Sequence, residues 1–228
     1  MKKSTNLFSG IAFLIVALIT NPASAQTKMK AIAKSTSTIN GCALTADMRK
    51  LWEDNIMWTR NVILCLVGEL HGTDQAVKRL LQNQVNIGDA IKPYYGEAAG
   101  KKLTELLYAH INISVEVIKY AKSENASALD EANTRWNTNA DEISEFFCKE
   151  NPHIKLVDMK VMMSDHLKLT TDEIMQRIKK NYDADIVSYD KVHDEILKMS
   201  DMLSESIVKQ FPEKFNTVTN KKIAVNNN

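Results

Sequence analysis

Apolar side chains recur at spacings of three and four residues along most of the chain between Thr45 and Gln210. In the first such stretch, for example, Met48, Leu51 and Trp58 fall on one helical face. This spacing is typical of amphipathic helices that bury one side. No stretch bounded by turn residues alternates polar and apolar residues, as a half-buried strand would. The pattern therefore predicts an all-α fold.

Glycine, proline and capping residues divide this periodic stretch into helices. The second helix is predicted to bend or end at Pro93 and to close at Gly96. Thr170-Thr171-Asp172-Glu173 matches a capping box, so a new helix is predicted to begin inside the fifth segment. Short connections favour antiparallel neighbours, which predicts an antiparallel up-and-down bundle of four long helices, a broken helix and a long C-terminal helix. The predicted helices cover residues 45–67, 73–95, 96–122, 127–149, 157–168, 170–180 and 183–210, and the two that span 157–180 form the broken fifth segment.

The N-terminus has the three parts of a secretory signal peptide. Met1-Lys2-Lys3 is basic, Leu7 to Ile19 is apolar, and Ala23-Ser24-Ala25 is a small-residue cleavage site. The apolar run is shorter than the roughly 20 residues of a membrane anchor, and no second run of that kind follows. We therefore expect export to the periplasm or the medium, with no transmembrane segment after cleavage. The predicted regions are a signal peptide at 1–25, a flexible leader at 26–43, the bundle at 44–215 and a disordered tail at 216–228.

The charge of the mature chain is close to neutral. Loss of Lys2 and Lys3 with the signal peptide takes the formal charge from +1 to about −1. Because both signs are interspersed, no basic surface for nucleic acid is indicated. Nucleic acid is therefore not an expected partner.

Three cysteines are present: Cys42, Cys65 and Cys148. None forms a Cys-x-x-Cys pair, which disfavours a redox enzyme or a zinc ribbon. The predicted topology places the start of the first helix and the end of the fourth at one end of the bundle, on adjacent helices. A disulfide between Cys42 and Cys148 is therefore a candidate, and three unpaired or buried cysteines are the alternative.

Polar residues also occupy inward-facing helical positions. Three of them are histidines on three different helices, where Leu, Ile or Val would be usual. Arg60 could pair with a carboxylate such as Glu142, or form a half-exposed ion pair. The candidate ligand residues are His110, His166, His193, Asp190 and Glu142, and the candidate polar-core residues are Asn55, Arg60, Gln84 and Asn139.

Two interpretations of these polar positions stay open. Converging imidazoles could bind a transition metal or a haem, since neutral histidine is a common ligand for zinc, copper and iron. Alternatively, buried histidines that bond to amides or carboxylates fix the register of a bundle without chemistry. The di-iron template of helical bundles is not met, because only Asp190 and His193 have its i, i+3 spacing. No nucleophile elbow, phosphate loop or His-Glu-x-x-His motif is present.

The segment Leu51-Trp52-Glu53-Asp54-Asn55-Ile56-Met57-Trp58-Thr59-Arg60 resembles a Leu-Trp-x-x-His-x-x-Trp-Thr-Arg signature. With further blocks in order, it is similar to a family of uncharacterised bacterial helical-bundle proteins. The resemblance covers about Leu44 to Phe215 and implies a compact all-helical fold without an established activity. Asn55 stands where the signature has His, which weakens a metal site and favours a hydrogen-bond network. The other blocks lie at 80–84, 90–96, 109–111, 136–143, 166–170 and 209–215.

The sequence thus favours an exported, non-enzymatic domain with a polar, histidine-containing core. Such a domain would bind an unknown small ligand or a protein partner. The alternative is a metal- or haem-binding bundle that uses the core histidines. No cofactor is assigned by the residues alone.

Overall fold

The computed structural model describes residues 41–215, which form five α-helices and a closing 3₁₀ turn. No strand occurs within these residues, so the all-α prediction is confirmed. The predicted signal peptide and the predicted tail lie outside the described residues. The elements are α1 Gly41–Gly68, α2 Thr73–Lys122, α3 Ala126–Glu150, α4 Leu156–Ile178, α5 Tyr182–Gln210 and the 3₁₀ turn Pro212–Phe215.

Helix α2 is a pair of antiparallel helices that meet at Gly96. The backbone there is non-helical, with φ 86° and ψ 170°, a conformation that glycine adopts without a steric penalty. A Cβ placed on Gly88 would lie only 2.6 Å from the carbonyl oxygen of Gly100. In a straight helix these residues would be about 18 Å apart. The two halves, 73–95 and 97–122, therefore fold back on each other, as the sequence predicted.

Helix α4 is continuous, so the predicted new helix at Thr170 is wrong. The Thr171 hydroxyl donates to the carbonyl of Leu167 one turn earlier, at 2.8 Å, instead of capping a helix start. The side chain of Glu173 is buried against another helix and is not bonded back to the chain. Tertiary contacts therefore use the residues that resembled a capping box.

The helices close a ring in which α1 packs on α2 and α5, α3 packs on α2 and α4, and α4 packs on α5. Residue pairs such as Arg49–Asp201 show that α1 and α5 are antiparallel, because early residues of one face late residues of the other. Helices α1 and α3 make no comparable contact within 41–215, so the expected adjacency of these two helices is wrong.

Cys42 is exposed in the first turn of α1, and Cys148 is partly buried near the end of α3. The adjacency that motivated a disulfide between them is therefore lost, and the disulfide itself remains a prediction. Burial raises the pKa of the Cys148 thiol.

The apolar core runs through the centre of this ring, and its largest fully buried side chains include Trp136, Met48, Ile56 and Leu103. None of the described helices is long and apolar enough to cross a membrane.

Candidate functional site

Each helical segment places one polar side chain toward the middle of the bundle. Two belong to the halves of α2, and the others come from α1, α3, α4 and α5. All but Glu195 are buried, and the Glu195 side chain is 12% exposed. We call this set the polar layer: Asn55, Gln84, His110, Asn139, His166 and Glu195.

His110 makes a hydrogen bond through each ring nitrogen. Its Nδ1 lies 2.8 Å from Oδ1 of Asn139. Because the Asn139 amide nitrogen donates to the Leu106 carbonyl at 3.1 Å, its Oδ1 is the acceptor and His110 carries its proton on Nδ1. Trp136 Nε1 then donates to the unprotonated Nε2 at 3.1 Å.

Burial keeps His110 neutral. Burial first, and the proximity of His166 second, lower the pKa of His110 to about 3, although the bond to Asn139 opposes this shift. A metal could reach this imidazole only by displacing Trp136 or Asn139. The geometry therefore matches a register-fixing hydrogen-bond network better than a ligand position.

His166 is the second histidine of the polar layer, and its ring centroid lies 6.2 Å from that of His110. Its Nδ1 lies 2.9 Å from Oε2 of Glu195. A carboxylate accepts only, so Nδ1 carries the proton and Nε2 is left as an acceptor when the ring is neutral. The other oxygen of Glu195, Oε1, is buried without a hydrogen-bond partner among the described residues. Two of the three predicted histidines thus converge.

Two amides of the polar layer, together with Asn83, form a hydrogen-bonded chain between α1 and the first half of α2. Asn55 Nδ2 donates to Gln84 Oε1 at 3.1 Å, and Gln84 Nε2 donates to Asn83 Oδ1 at 3.3 Å. Asn83 Nδ2 in turn donates to the carbonyl of Leu51 at 3.0 Å. The prediction that Asn55 and Gln84 share a polar core is therefore matched by their direct contact.

The predicted inward position of His193 is wrong. Its side chain is 28% exposed, and its Nε2 lies 3.2 Å from Oε1 of Glu53. Asp190 and Glu142 are exposed as well. The first half of α5 turns Asp185 and Val192 toward the core, which leaves the face with Asp190 and His193 toward solvent.

A site built from all three predicted histidines is therefore not formed. Across residues 41–215, no three His, Cys, Asp or Glu side chains are placed to hold a metal ion.

Arg60 joins a buried ionic cluster that the sequence did not predict. Its Nη1 donates to Glu173 Oε1 at 2.8 Å and also to Asp185, and its Nη2 donates to Asp185 Oδ2 at 2.9 Å. Both acids are 1% exposed. Arg177 approaches Asp185 at 3.4 Å, and Arg60 lies over the ring of Tyr189. Arg60 thus pairs with helix carboxylates other than Glu142, the example that the sequence offered. The alternative of a half-exposed ion pair is wrong, because both acids are buried.

Burial governs the electrostatics of this cluster. It raises the pKa of Glu173, although the Arg60 guanidinium opposes that shift. Burial alone would lower the pKa of Arg60, but its bonds to Asp185 and Glu173 raise it overall. Helical spacing could have located both acids, since Glu173 lies seven residues after His166 and Asp185 seven before Val192.

A surface groove of about 470 Å³ lies between α4 and α5, next to the polar layer. Met162 and Leu169 provide its apolar part, and Glu195 connects it to His166. Lysines and acids surround it in equal number: Lys168, Lys191, Lys198, Asp165, Asp194 and Glu195.

A much smaller cavity, about 20 Å³, lies inside the bundle. Apolar residues that include Met163 and Met199 complete its wall. Its polar lining comes from Trp52, Asn55, Gln84, His110 and His166.

No family model, curated protein or solved structure matches this chain. The resemblance of the Leu51–Arg60 segment to a helical-bundle signature therefore stays an expectation. In the fold, the Asn55 amide of that segment bonds to Gln84, which is a role that needs no metal.

Proposed function

We propose that this chain is an exported, non-enzymatic domain that binds a small ligand in the groove between α4 and α5. Glu195 carries the proposal. One of its carboxylate oxygens holds His166, while the other, Oε1, is buried and unpartnered within the described part of the chain. A buried carboxylate oxygen without a donor is costly, so the site favours a ligand that supplies one.

The groove suits a small amphipathic molecule. Its volume of about 470 Å³ lies within the roughly 300–1,000 Å³ usual for small-molecule sites. Met162 and Leu169 would contact an apolar part of the ligand. A hydroxyl or ammonium group would donate to the carboxylate of Glu195, which lines the groove.

The polar layer supports a binding role over a catalytic one. Both nitrogens of His110 are engaged by Asn139 and Trp136, so this imidazole has no free position for proton transfer. The metal- or haem-binding alternative requires His110 to give up one of these bonds. The groove requires no such loss.

Ligand binding is tested by amide chemical shifts of the mature chain, residues 26–228. Benzyl alcohol and benzylamine carry a donor on an apolar ring, whereas benzoate carries an acceptor alone. We expect the two donors to shift amides in 162–169 and 191–198, and benzoate to have much less effect. Shifts confined to other surfaces, or equal shifts with benzoate, would contradict the proposal.

A matched pair of variants identifies the carboxylate. Glu195→Gln keeps the size of the side chain and removes the charge, and should weaken benzylamine binding at least several-fold. Glu142→Gln makes the same change at an exposed acid beside a different surface pocket and should leave binding unchanged.

Export is tested separately, by N-terminal sequencing of the protein from the periplasm and the medium. We expect the mature chain to begin at Gln26. Recovery of an uncleaved chain in the cytoplasm would contradict this part of the proposal.

A further inference from the structure

The internal cavity has the size of a water site and a few polar groups in its wall. Its volume of about 20 Å³ exceeds the roughly 10–15 Å³ that one water needs. Most of its wall is apolar, but imidazole, indole and amide side chains complete the lining, and a polar group is what separates a hydrated cavity from a dry one. Its size leaves no room for an organic ligand.

Trp52 supplies the donor that such a site requires. Trp52 lines the cavity and is 5% exposed. Its Nε1 is buried and has no hydrogen-bond partner in residues 41–215. Buried indole N–H groups normally find an acceptor. Trp136 shows the usual case in the same layer, since its Nε1 donates to His110.

His166 supplies the acceptor. Its Nδ1 proton is directed to Glu195, so Nε2 is the acceptor of the neutral ring, and His166 lines the cavity. A buried water usually has two to four polar partners. Trp52 on α1 and His166 on α4 meet the lower number, and Asn55 is close enough to line the same space.

We propose that this cavity binds one ordered water, which accepts a hydrogen bond from Trp52 Nε1 and donates one to His166 Nε2. The water links α1 to α4 across the centre of the bundle. It continues the hydrogen-bonded path from Glu195 at the groove, through His166, to the indole of Trp52. This site does not depend on ligand binding in the groove.

Water-to-protein NOE and ROE measurements on the mature chain test the site. The three tryptophan indole protons can be observed separately. At Hε1 of Trp52 we expect a contact with a long-lived water, recognised by the NOE sign of slow exchange. At Hε1 of Trp136 we expect no contact with a long-lived water. A Trp52 indole without such a contact would overturn the proposal.

A pair of variants checks the assignment in crystals. Trp52→Phe removes the donor and should abolish or strongly weaken the water density in the cavity. Trp58→Phe removes an indole that lies against Arg79, outside the cavity lining, and should keep the density. Unchanged density in Trp52→Phe would show that the indole does not hold the water. Should Trp52→Phe fail to fold, the wild-type NOE measurement still decides the question.

Discussion

Nδ1 of His110 lies 2.8 Å from Oδ1 of Asn139, and this bond fixes the tautomer of a buried imidazole. The remaining nitrogen is thereby free to accept from Trp136. Three side chains from two helices are satisfied by one another in the middle of the core. Such closed polar networks specify register, because shifting either helix by one residue would leave several buried groups unpaired.

The first prediction concerns Asn139. Asn139→Leu leaves the Nδ1 proton of His110 without its acceptor, whereas the carbonyl of Leu106 keeps its bond within the helix. At about 1–3 kcal/mol for an unpaired buried group, we expect the free energy of unfolding to fall by about 1–3 kcal/mol in urea denaturation.

Asn137→Leu is the matched control, since Asn137 lies on the exposed side of the same helix. Its effect should be within about 0.5 kcal/mol. Equal destabilisation by both changes would show that the amide–imidazole bond is not what matters at position 139.

The second prediction concerns the pH dependence of stability. The pKa of His110 is about 3 in the folded state against 6.5 as its ordinary value. Between about pH 3 and 6.5, His110 is therefore protonated in the unfolded chain but not in the folded chain. The free energy of unfolding falls as the pH drops from about 6.5 toward 3. When the pH falls from 7.5 to 5.0, this one residue should lower the free energy of unfolding by about 2 kcal/mol.

His110→Gln removes this titration, so its free energy of unfolding should change less than that of the wild type over the same interval. Urea denaturation at the two pH values gives the comparison. The same pH-induced loss in both proteins would mean that His110 is not kept neutral by the fold.

The sequence predicted part of the polar layer because its members stand within long, regular apolar patterns. His110, for example, follows Leu103 and Leu106 at helical spacing, and all three are buried. The prediction failed for His193 because the start of α5 has apolar residues on two sides. Ile186 and Val187 are more than half exposed there, while Asp185 faces the core.

The spacing of residues along the sequence does not reveal which side chains on different helices will contact each other. Glu173 and Asp185 lie 113 and 125 residues from Arg60, and only the closure of the ring brings them together. The match of Thr170–Glu173 to a capping box failed for the same reason. A local signature does not reveal that a distant arginine will bind one of its residues.

The third prediction concerns this ionic cluster. Arg60→Met leaves two buried carboxylates without their main counter-charge, and removing one partner of a buried ion pair costs about 3–5 kcal/mol. We expect a loss of that order in the free energy of unfolding. Adding Glu173→Gln and Asp185→Asn to Arg60→Met should restore part of it, because the uncompensated charges are then gone.

Arg49→Met is the control for the loss of an arginine–carboxylate contact at the surface. Arg49 pairs with Asp201 where both side chains are partly exposed, at 48% and 32%. Exposed pairs contribute little, so this variant should unfold close to the wild type. If Arg49→Met were as damaging as Arg60→Met, burial could not explain the importance of the cluster.

The last prediction concerns the close approach of the two halves of α2. A Cβ at Gly88 would lie 2.0 Å from Oγ1 of Thr104, which can rotate away, and 2.6 Å from the backbone oxygen of Gly100, which cannot. Gly88→Ala must therefore push the halves apart, and overpacking of this kind typically costs about 1–3 kcal/mol.

Gly41→Ala is the control, because its Cβ would meet only the side chain of Val208 at 3.5 Å, an ordinary contact. Thermal unfolding should show a lower midpoint for Gly88→Ala alone, since alanine elsewhere in a helix is favoured over glycine. A Gly88→Ala variant as stable as Gly41→Ala would mean that the hairpin tolerates a wider separation than its backbone contact indicates.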